Sequence, residues 1–249
     1  MEKSILRNSD IPIPLFPSLQ KKSDFAIEEK ASEIRNRSRL PSDQRKYMAV
    51  FKGGRPGTFA QVRTKLLDLD SETRGYVVAT YCCLPSWCRT LPHRRHSYSC
   101  EIEASYADSF NFTDLILDSR FGFVPRGMGV HSYRLSEIMA AGAIPIILAD
   151  GFVKPFDINK MMDWNAFSFT IPEKKVSTIP GLLSSLPMDK ILKMQAKVIE
   201  VFEEYFDSRE HVIKFCFHIL AKKFSEVDAL WDLTLAEKSF INYDLTFLV

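Results

Sequence analysis

The sequence contains no long apolar run and no excess of charge of either sign. No stretch approaches the roughly 18 apolar residues of a membrane span, and residues 1–10 are polar where a signal peptide would be apolar. The 33 Lys and Arg residues nearly balance the 31 Asp and Glu residues, so the net charge of +2 predicts no general attraction to nucleic acid or anionic membrane. Any anion-binding site must therefore be local.

Cysteine is also scarce, with five residues in a chain of 249. Four of them lie close together and are interleaved with His93 and His96: Cys82, Cys83, Cys88 and Cys100. The spacing lacks the paired Cys-x₂-Cys of a zinc ribbon, so zinc is disfavoured. A disulfide between Cys100 and Cys82 or Cys83 is favoured if the protein matures in an oxidising compartment. A surface loop with free thiols is the alternative.

Short apolar runs alternate with helical periodicities along most of the chain. Residues 1–45 contain Pro12, Pro14, Pro17 and Pro41 and show no sustained period. Strands are predicted at 47–51, 76–81, 121–124, 143–149 and 167–171, and helices at 60–69, 112–117, 131–141, 176–186, 188–206 and 209–224. Gly142 is predicted to close the third helix. The alternation predicts an α/β fold with a Rossmann-like parallel sheet and helices on both faces, whose ligand lies at the carboxyl ends of the strands.

A first group of candidate site residues follows the first predicted strand. Lys52 and Arg55 flank Gly53 and Gly54. Small residues let backbone N–H groups approach a phosphate, and the two cations can neutralise it. Arg63 lies one to two turns into the next helix and is a third candidate cation. A tight turn with solvated charges is the alternative.

A second group follows the third predicted strand, where Arg126 precedes a predicted helix that contains Arg134 and Glu137. The last two residues are three positions apart and therefore share one helix face. A guanidinium can hold a diphosphate through paired N–H donors, and a carboxylate can accept both hydroxyl protons of a ribose. Without a ligand, the same pair would be a local salt bridge.

The same segment nearly matches a dinucleotide-binding fingerprint. Gly127, Gly129 and Ser132 approximate G-x-G-x-x-G, and Asp150 ends the following strand about 20 residues later. The third position is Ser where Gly or Ala is usual. A dinucleotide-binding oxidoreductase is therefore a minor alternative, and His131 as a general base is weaker still.

At these same residues the sequence resembles the exostosin family, glycosyltransferase family 47, and in particular the glucuronosyltransferase half of the heparan sulfate polymerases. The matching segments include DIPIPLF (10–16), RKYMAVFKG (45–53), FGFVPRG (121–127), SYRLSE (132–137) and AGAIPIIL (141–148). The resemblance extends from residue 10 to residue 224, so no single motif carries it.

The resemblance implies a GT-B fold, in which two Rossmann-like domains face each other across a cleft. Residues 46–225 would be the C-terminal, nucleotide-sugar-binding domain, residues 1–45 a remnant of the interdomain region, and residues 226–249 a tail. The acceptor domain, stem and membrane anchor of the family would precede residue 10 and are expected to be missing. Gly54 and Phe112 stand where relatives carry a basic residue and a tyrosine. The donor-binding set expected for this chain is Lys52, Gly54, Arg55, Arg63, Phe112, Arg126, Arg134 and Glu137.

The family's chemistry implies inverting transfer of a sugar, with glucuronic acid favoured, from a UDP-sugar to a glycan or glycoprotein in the Golgi or ER lumen. Lys52, Arg63 and Arg134 would stabilise the departing UDP, so no obligatory metal or cofactor is expected. The sequence identifies no catalytic base. The expected partners are a UDP-sugar and a glycan acceptor. The alternative is a truncated, non-catalytic module that binds UDP or supports another exostosin-type chain.

Overall fold

A five-stranded parallel sheet forms the framework of the protein. The computed structural model describes residues 11–14, 25–55, 61–81, 98–127, 130–157 and 161–227. The strands are β1 (Tyr47–Gly54), β2 (Tyr76–Tyr81), β3 (Ser119–Pro125), β4 (Ile144–Leu148) and β5 (Phe169–Thr170). Their order is β2-β1-β3-β4-β5, and every neighbouring pair is parallel. The predicted α/β, Rossmann-like sheet is confirmed.

Helices connect and cover these strands. They are α1 (Phe25–Ser38), α2 (Gln61–Leu67), α3 (Tyr98–Asp108), α4 (Phe112–Leu117), α5 (Arg134–Ala140), α6 (Ile179–Ser184), α7 (Met188–Tyr205) and α8 (Arg209–Val227). Short 3₁₀ turns lie at Ser42–Gln44, Glu72–Arg74, Trp164–Ala166 and Glu173–Thr178. None of the helices in the described ranges combines the length and the apolar character that crossing a membrane requires.

The strand order places helices on both faces of the sheet. The chain runs from β1 to β2 in one direction and from β2 past β1 to β3, β4 and β5 in the other. Because crossovers between parallel strands are right-handed, this reversal places α2 on one face and α3, α4 and α5 on the other. The packing agrees, since α5 contacts β3, β4 and α7, whereas α2 contacts the 3₁₀ turn at Glu173–Thr178.

The inner strands are buried on both faces. All five residues of β4 are buried, as are Phe121 and Phe123 of β3 and Val50 of β1. Strands covered on both faces appear in a sequence as continuous apolar runs rather than as an alternating pattern. Their positions could therefore be predicted to within a few residues.

The end of α5 follows the predicted pattern. Gly142 follows Ala141, the C-cap residue of this helix, and has a φ of 62°, in the left-handed region. A Cβ at this position would lie 2.1 Å from the backbone oxygen of Ser38, so a side chain would also collide with the end of α1. Glycine is required here both for its conformation and for the close approach of the two helices.

The N-terminal segment contains regular structure that the sequence pattern did not indicate. Helix α1 and the turn at Ser42–Gln44 lie within residues 1–45. Charged and polar residues dominate α1 and leave few apolar ones to mark a helical period. Gln195 of α7 anchors the segment, because its Oε1 accepts hydrogen bonds from the backbone N–H and the hydroxyl of Ser42 at 2.7 and 2.8 Å. The segment therefore packs against the sheet domain.

Arg45 joins this segment to the amino ends of the strands. Its side chain is only 3% exposed and donates to the backbone oxygens of four residues: Ser38 (2.6 Å), Leu40 (3.0 Å), Ser119 (2.8 Å) and Ala141 (3.1 Å). Burial lowers the pKa of Arg45 to about 10. One cation thereby satisfies carbonyls from the end of α1, the start of β3 and the end of α5. These contacts place Arg45 on the edge of the sheet opposite to the carboxyl ends of the strands.

Candidate functional site

The strand order reverses between β1 and β3, and the carboxyl ends of these two strands are here called the crevice, because this is where an open α/β sheet forms its ligand-binding crevice. Open α/β sheets bind ligands at such a point, because the connections leave it in opposite directions and leave a gap between them. Lys52 and Gly54 lie at the carboxyl end of β1, and Arg126 directly follows β3. Helix α2 carries Arg63 towards this crevice, and α5 carries Arg134.

Arg134 bridges α5 and β1. Its Nη1 lies 2.5 Å from Oε2 of Glu137, and its Nη2 donates to the backbone oxygen of Lys52 at 2.8 Å. A Cβ at Gly53 would lie 3.5 Å from Nη2 of Arg134 and 3.0 Å from the ring of Phe51. Gly53 thus keeps room for the guanidinium beside the strand. The structure brings together the pair predicted from its i,i+3 spacing, and it adds the contact with β1.

Two aromatic rings flank the Arg134 guanidinium. Its central carbon lies 4.1 Å from the centroid of Phe112, the first residue of α4, and 6.0 Å from that of Phe51. A cation near the face of an aromatic ring is stabilised by the ring's electron density, most strongly where water is excluded. Phe112 therefore holds the Arg134 side chain in place. The structure thus puts Phe112, a predicted site residue, against the guanidinium of Arg134.

Arg63 bridges the ends of β1 and β3. Its Nη1 donates to the backbone oxygen of Gly54 at 2.6 Å, and its Nε donates to that of Arg126 at 3.0 Å. The guanidinium carbon lies 5.4 Å from the centroid of Phe51, so this ring contacts both arginines. Gly54, a predicted site residue, therefore contributes its carbonyl oxygen as a hydrogen-bond acceptor for Arg63. The helix predicted over residues 60–69 places Arg63 beside Arg134.

This group contains two partly buried arginines, Arg63 and Arg134, but one buried carboxylate, that of Glu137. Burial, reinforced by the nearby charge of Arg134, lowers the pKa of Arg63 to about 10. Burial also lowers the pKa of Arg134, although Glu137 acts in the opposite direction. The pKa of Glu137 is raised by burial, and the attraction of Arg134 offsets this only in part. The described part of the crevice is thus left with excess positive charge.

Lys52 points from the end of β1 towards the start of α4. Its Nζ donates to the backbone oxygen of Phe110 at 2.5 Å and lies 5.7 Å from the centroid of Tyr81. The ammonium group holds the turn before α4, which in turn carries Phe112. Lys52 therefore contributes both a positive charge and a contact that positions the aromatic wall of the crevice.

Two predicted site cations are paired with carboxylates from other elements. Nη2 of Arg55 lies 2.5 Å from Glu103 of α3, which also accepts a hydrogen bond from the hydroxyl of Thr80 at 3.3 Å. Nη1 of Arg126 lies 3.7 Å from Glu173. Both arginines lie at the expected strand ends, but their charges are balanced locally. Their predicted role in ligand binding stays a prediction.

Some residues of the crevice could not be identified from the sequence. Phe51 belongs to an apolar run that predicts a buried strand, and nothing in that run indicates a contact with two arginines. Glu103 lies on α3 (Tyr98–Asp108), a helix that is not among those predicted from the sequence. Its pairing with Arg55 spans 48 positions of sequence and arises only from the fold.

Three further predictions from the sequence concern Asp150, a metal site and a disulfide. Asp150, which the dinucleotide alternative requires, exchanges hydrogen bonds with Glu173: the backbone N–H of each residue donates to the side chain of the other at 3.0 and 3.1 Å. This pairing gives the Asp150 carboxylate a structural role. Within the described ranges, no three His, Cys, Asp or Glu side chains are grouped so as to hold a metal. The side chains of the disulfide candidates Cys82, Cys83 and Cys100 lie outside the described part of the chain.

Comparison with known proteins agrees with the resemblance seen in the sequence. A family model of the exostosin GT47 domain matches residues 1–186. Exostosin-1 of Drosophila melanogaster is 27% identical over 216 residues, which cover 86% of this chain and 27% of the relative. The Exostosin-1 homolog of Caenorhabditis elegans is 26% identical over 228 residues, 89% of this chain and 56% of the relative. Exostosin-1b of Danio rerio is 28% identical over 171 residues, 68% of this chain and 22% of the relative. The chain thus spans well under two thirds of the length of these curated relatives.

Proposed function

The chain belongs to the exostosin family, glycosyltransferase family 47, and from this premise we propose that it binds a UDP-sugar in the crevice between β1 and β3 for transfer of the sugar to a glycan. The proposal corresponds to the donor-binding, C-terminal half of a GT-B fold. Glucuronic acid is the proposed sugar, and the lumen of the Golgi or ER is the proposed location.

The excess of partly buried positive charge in the crevice carries this proposal. Arg63 and Arg134 are close enough for the charge of one to lower the pKa of the other, and Glu137 is the only carboxylate that pairs with Arg134 in the described structure. Burying two like charges costs free energy unless an anion compensates for them. A diphosphate supplies that anion, so its binding relieves an unfavourable interaction in addition to forming new contacts.

The contacts in the structure leave both guanidinium groups able to bind. Each guanidinium has five N–H donors, and the described hydrogen bonds use two of them in Arg63 and two in Arg134. The remaining donors suit the oxygens of a diphosphate, for which paired N–H groups are well matched. Glu137, held beside Arg134, suits the two hydroxyl groups of the ribose.

The proposed reaction is a displacement at the anomeric carbon of the sugar. An acceptor hydroxyl oxygen forms a bond to this carbon from the side opposite to the phosphate, which inverts the configuration. The bond from the anomeric carbon to the β-phosphate oxygen breaks, and its electron pair leaves with UDP. The hydroxyl proton passes to a base. Lys52, Arg63 and Arg134 stabilise the negative charge that develops on UDP, which is electrostatic catalysis by preorganised cations.

Calorimetry with UDP and NAD tests the proposed ligand. We expect UDP to bind with a dissociation constant between micromolar and millimolar and NAD not to bind, because the crevice has cations for a diphosphate while the Asp150 carboxylate is paired with Glu173. Binding of NAD without binding of UDP would overturn the proposal. If UDP binds but UDP-glucuronic acid and a glycan acceptor give no transfer, the chain acts as a non-catalytic UDP-binding module.

Replacing Phe112 with leucine is expected to weaken UDP binding by about two- to thirtyfold, since the loss of a cation–π contact costs about 0.5–2 kcal/mol. Leucine keeps an apolar side chain at the start of α4 but removes the ring that lies 4.1 Å from the Arg134 guanidinium. Phe112→Tyr is the matched control, because it keeps the ring and should retain UDP affinity. Equal affinity in the leucine variant and the unmodified protein, measured by calorimetry, would show that the ring does not position Arg134 for UDP.

A further inference from the structure

The Glu173 carboxylate lies at the carboxyl ends of β3 and β4, beside the crevice. Its Oε1 accepts a hydrogen bond from the backbone N–H of Asp150 at 3.0 Å, and the backbone N–H of Glu173 donates to Oδ1 of Asp150 at 3.1 Å. Nη1 of Arg126 lies 3.7 Å from the same Oε1. Because Arg126 directly follows β3 and Asp150 lies two residues after β4, the carboxylate contacts the ends of both strands.

Arg126 is fixed by its backbone more than by its side chain. Its backbone N–H donates to the oxygen of Leu148 at 3.1 Å, and its oxygen accepts a hydrogen bond from Nε of Arg63 at 3.0 Å. Its own Nε is buried and has no hydrogen-bond partner within the described ranges. The 3.7 Å between Nη1 and Glu173 is longer than a hydrogen bond. Arg126 and Glu173 therefore compensate each other's charge only in part.

The surroundings hold the Glu173 carboxylate in this position. Its side chain is 20% exposed, and the two hydrogen bonds with Asp150 tie it to the loop after β4. The 3₁₀ turn that begins at Glu173 packs against α2, the helix that carries Arg63. Partly buried charges are screened less than exposed ones. The negative charge of Glu173 therefore acts on an anion that binds at the adjacent strand ends.

The proposed reaction changes the charge of the ligand at these strand ends. In a UDP-sugar, each of the two phosphates carries one negative charge. When the bond from the anomeric carbon to the β-phosphate oxygen breaks, its electron pair stays on that oxygen, and UDP gains one negative charge. A terminal phosphate loses its second proton with a pKa of about 6, so most of this additional charge is retained at pH 7.

We propose that Glu173 promotes the release of UDP after sugar transfer, an inference that rests on the proposed function. Its carboxylate repels both ligands, but it repels UDP more strongly because of the additional charge on the β-phosphate. The group that Glu173 discriminates against is the free terminal phosphate of a nucleoside diphosphate. A β-phosphate that is esterified to a sugar is repelled less. Asp150 and Arg126 keep the carboxylate beside the crevice, so this preference is built into the fold.

The test compares the affinities of UDP and of its β-methyl ester, measured by calorimetry, in Glu173→Gln. The ester keeps the diphosphate but lacks both the additional charge and the sugar. We expect the variant to raise the ratio of UDP affinity to ester affinity by about three- to tenfold, because one repulsive charge is removed. Glutamine keeps an oxygen that can accept the hydrogen bond of Asp150. Glu203→Gln is the matched control, since this carboxylate belongs to an exposed pair with Arg39 and its loss should leave the ratio unchanged.

Arg126→Gln removes the opposite charge from the same pair, so it should lower the ratio of the two affinities. It keeps the inference testable if Glu173→Gln fails to fold, because an unchanged ratio would place the pair away from the terminal phosphate and overturn the inference. With a folded Glu173→Gln variant, an unchanged ratio overturns it regardless of the Arg126 result. An equal rise in both affinities does so too, since Glu173 would then oppose all anions alike. Failure of the unmodified protein to bind UDP is a different result, because it refutes the proposed function itself.

Discussion

Arg134→Ala is expected to lower the affinity for UDP by roughly ten- to a hundredfold, equivalent to about 1.5–3 kcal/mol. The guanidinium supplies paired, charge-assisted hydrogen bonds to a diphosphate, and alanine supplies none. The variant also leaves Glu137 buried without its cation, so the negative charge of UDP meets an uncompensated carboxylate. Calorimetric titration with UDP, or the shift in Tm that UDP produces, measures the effect.

Two further variants define what the Arg134 result means. Arg39→Ala removes the same charge from an exposed arginine that pairs with Glu203, and it should leave UDP affinity unchanged because that site is distant and screened.

Glu137→Gln keeps the side-chain shape but replaces a charged acceptor with a neutral amide. It should weaken UDP binding, and it should weaken binding of the deoxyribose analogue less. If neither Arg134→Ala nor Glu137→Gln changes the UDP-induced shift in Tm, the pair is only a salt bridge and the proposed site is wrong.

Arg45→Met is expected to reduce the free energy of unfolding by about 3–5 kcal/mol, which is in the range for breaking a buried charged interaction. Methionine has a similar length but no donors, so the carbonyls that Arg45 contacts at the ends of α1 and α5 and at the start of β3 lose their partner. An unsatisfied buried carbonyl costs about 1–3 kcal/mol. The oxygen of Leu40 also accepts a hydrogen bond from Nε2 of Gln195 at 2.8 Å. Urea unfolding followed by circular dichroism measures the change.

The control for this variant is again Arg39→Ala, which removes an exposed ion pair and should cost less than about 1 kcal/mol. Arg45→Lys should be intermediate, because it keeps the charge but cannot reach four carbonyls in the planar geometry of a guanidinium. A loss below about 1 kcal/mol in Arg45→Met would show that the N-terminal segment is held by Gln195 and apolar contacts instead. UDP affinity should be unaffected in Arg45→Lys, since Arg45 lies at the opposite edge of the sheet.

Several parts of the fold and of the candidate site could be predicted because local patterns determine them. The inner strands could be located because they are buried on both faces and are therefore continuous apolar runs. The proximity of Arg134 and Glu137 follows from a spacing of three residues on a helix. The position of Arg63 beside them follows from a strand, a loop and a helix in succession, since the carboxyl ends of parallel strands lie at one edge of the sheet.

Other parts could not be predicted because they depend on residues far apart in the chain. Helices α1 and α3 lack a clear apolar period, so contacts with the rest of the domain stabilise them more than their own sequence does. The pairing of Arg55 with Glu103 and the four carbonyl contacts of Arg45 link segments that are separated by up to 96 positions. No spacing rule identifies such partners before the strand order is known.

The sequence by itself determined the parallel α/β sheet, the exostosin resemblance and the membership of Lys52, Arg63, Arg134 and Glu137 in one group, because burial pattern, helical spacing and strand ends are local properties. Only the tertiary structure decided how the charges in that group are balanced. It places Arg63 and Arg134, both partly buried, next to each other with Glu137 paired to Arg134, and it pairs Arg55 and Arg126 with Glu103 and Glu173. The reason is physical: the energy of a buried charge depends on every group within a few ångströms, whatever its distance along the chain.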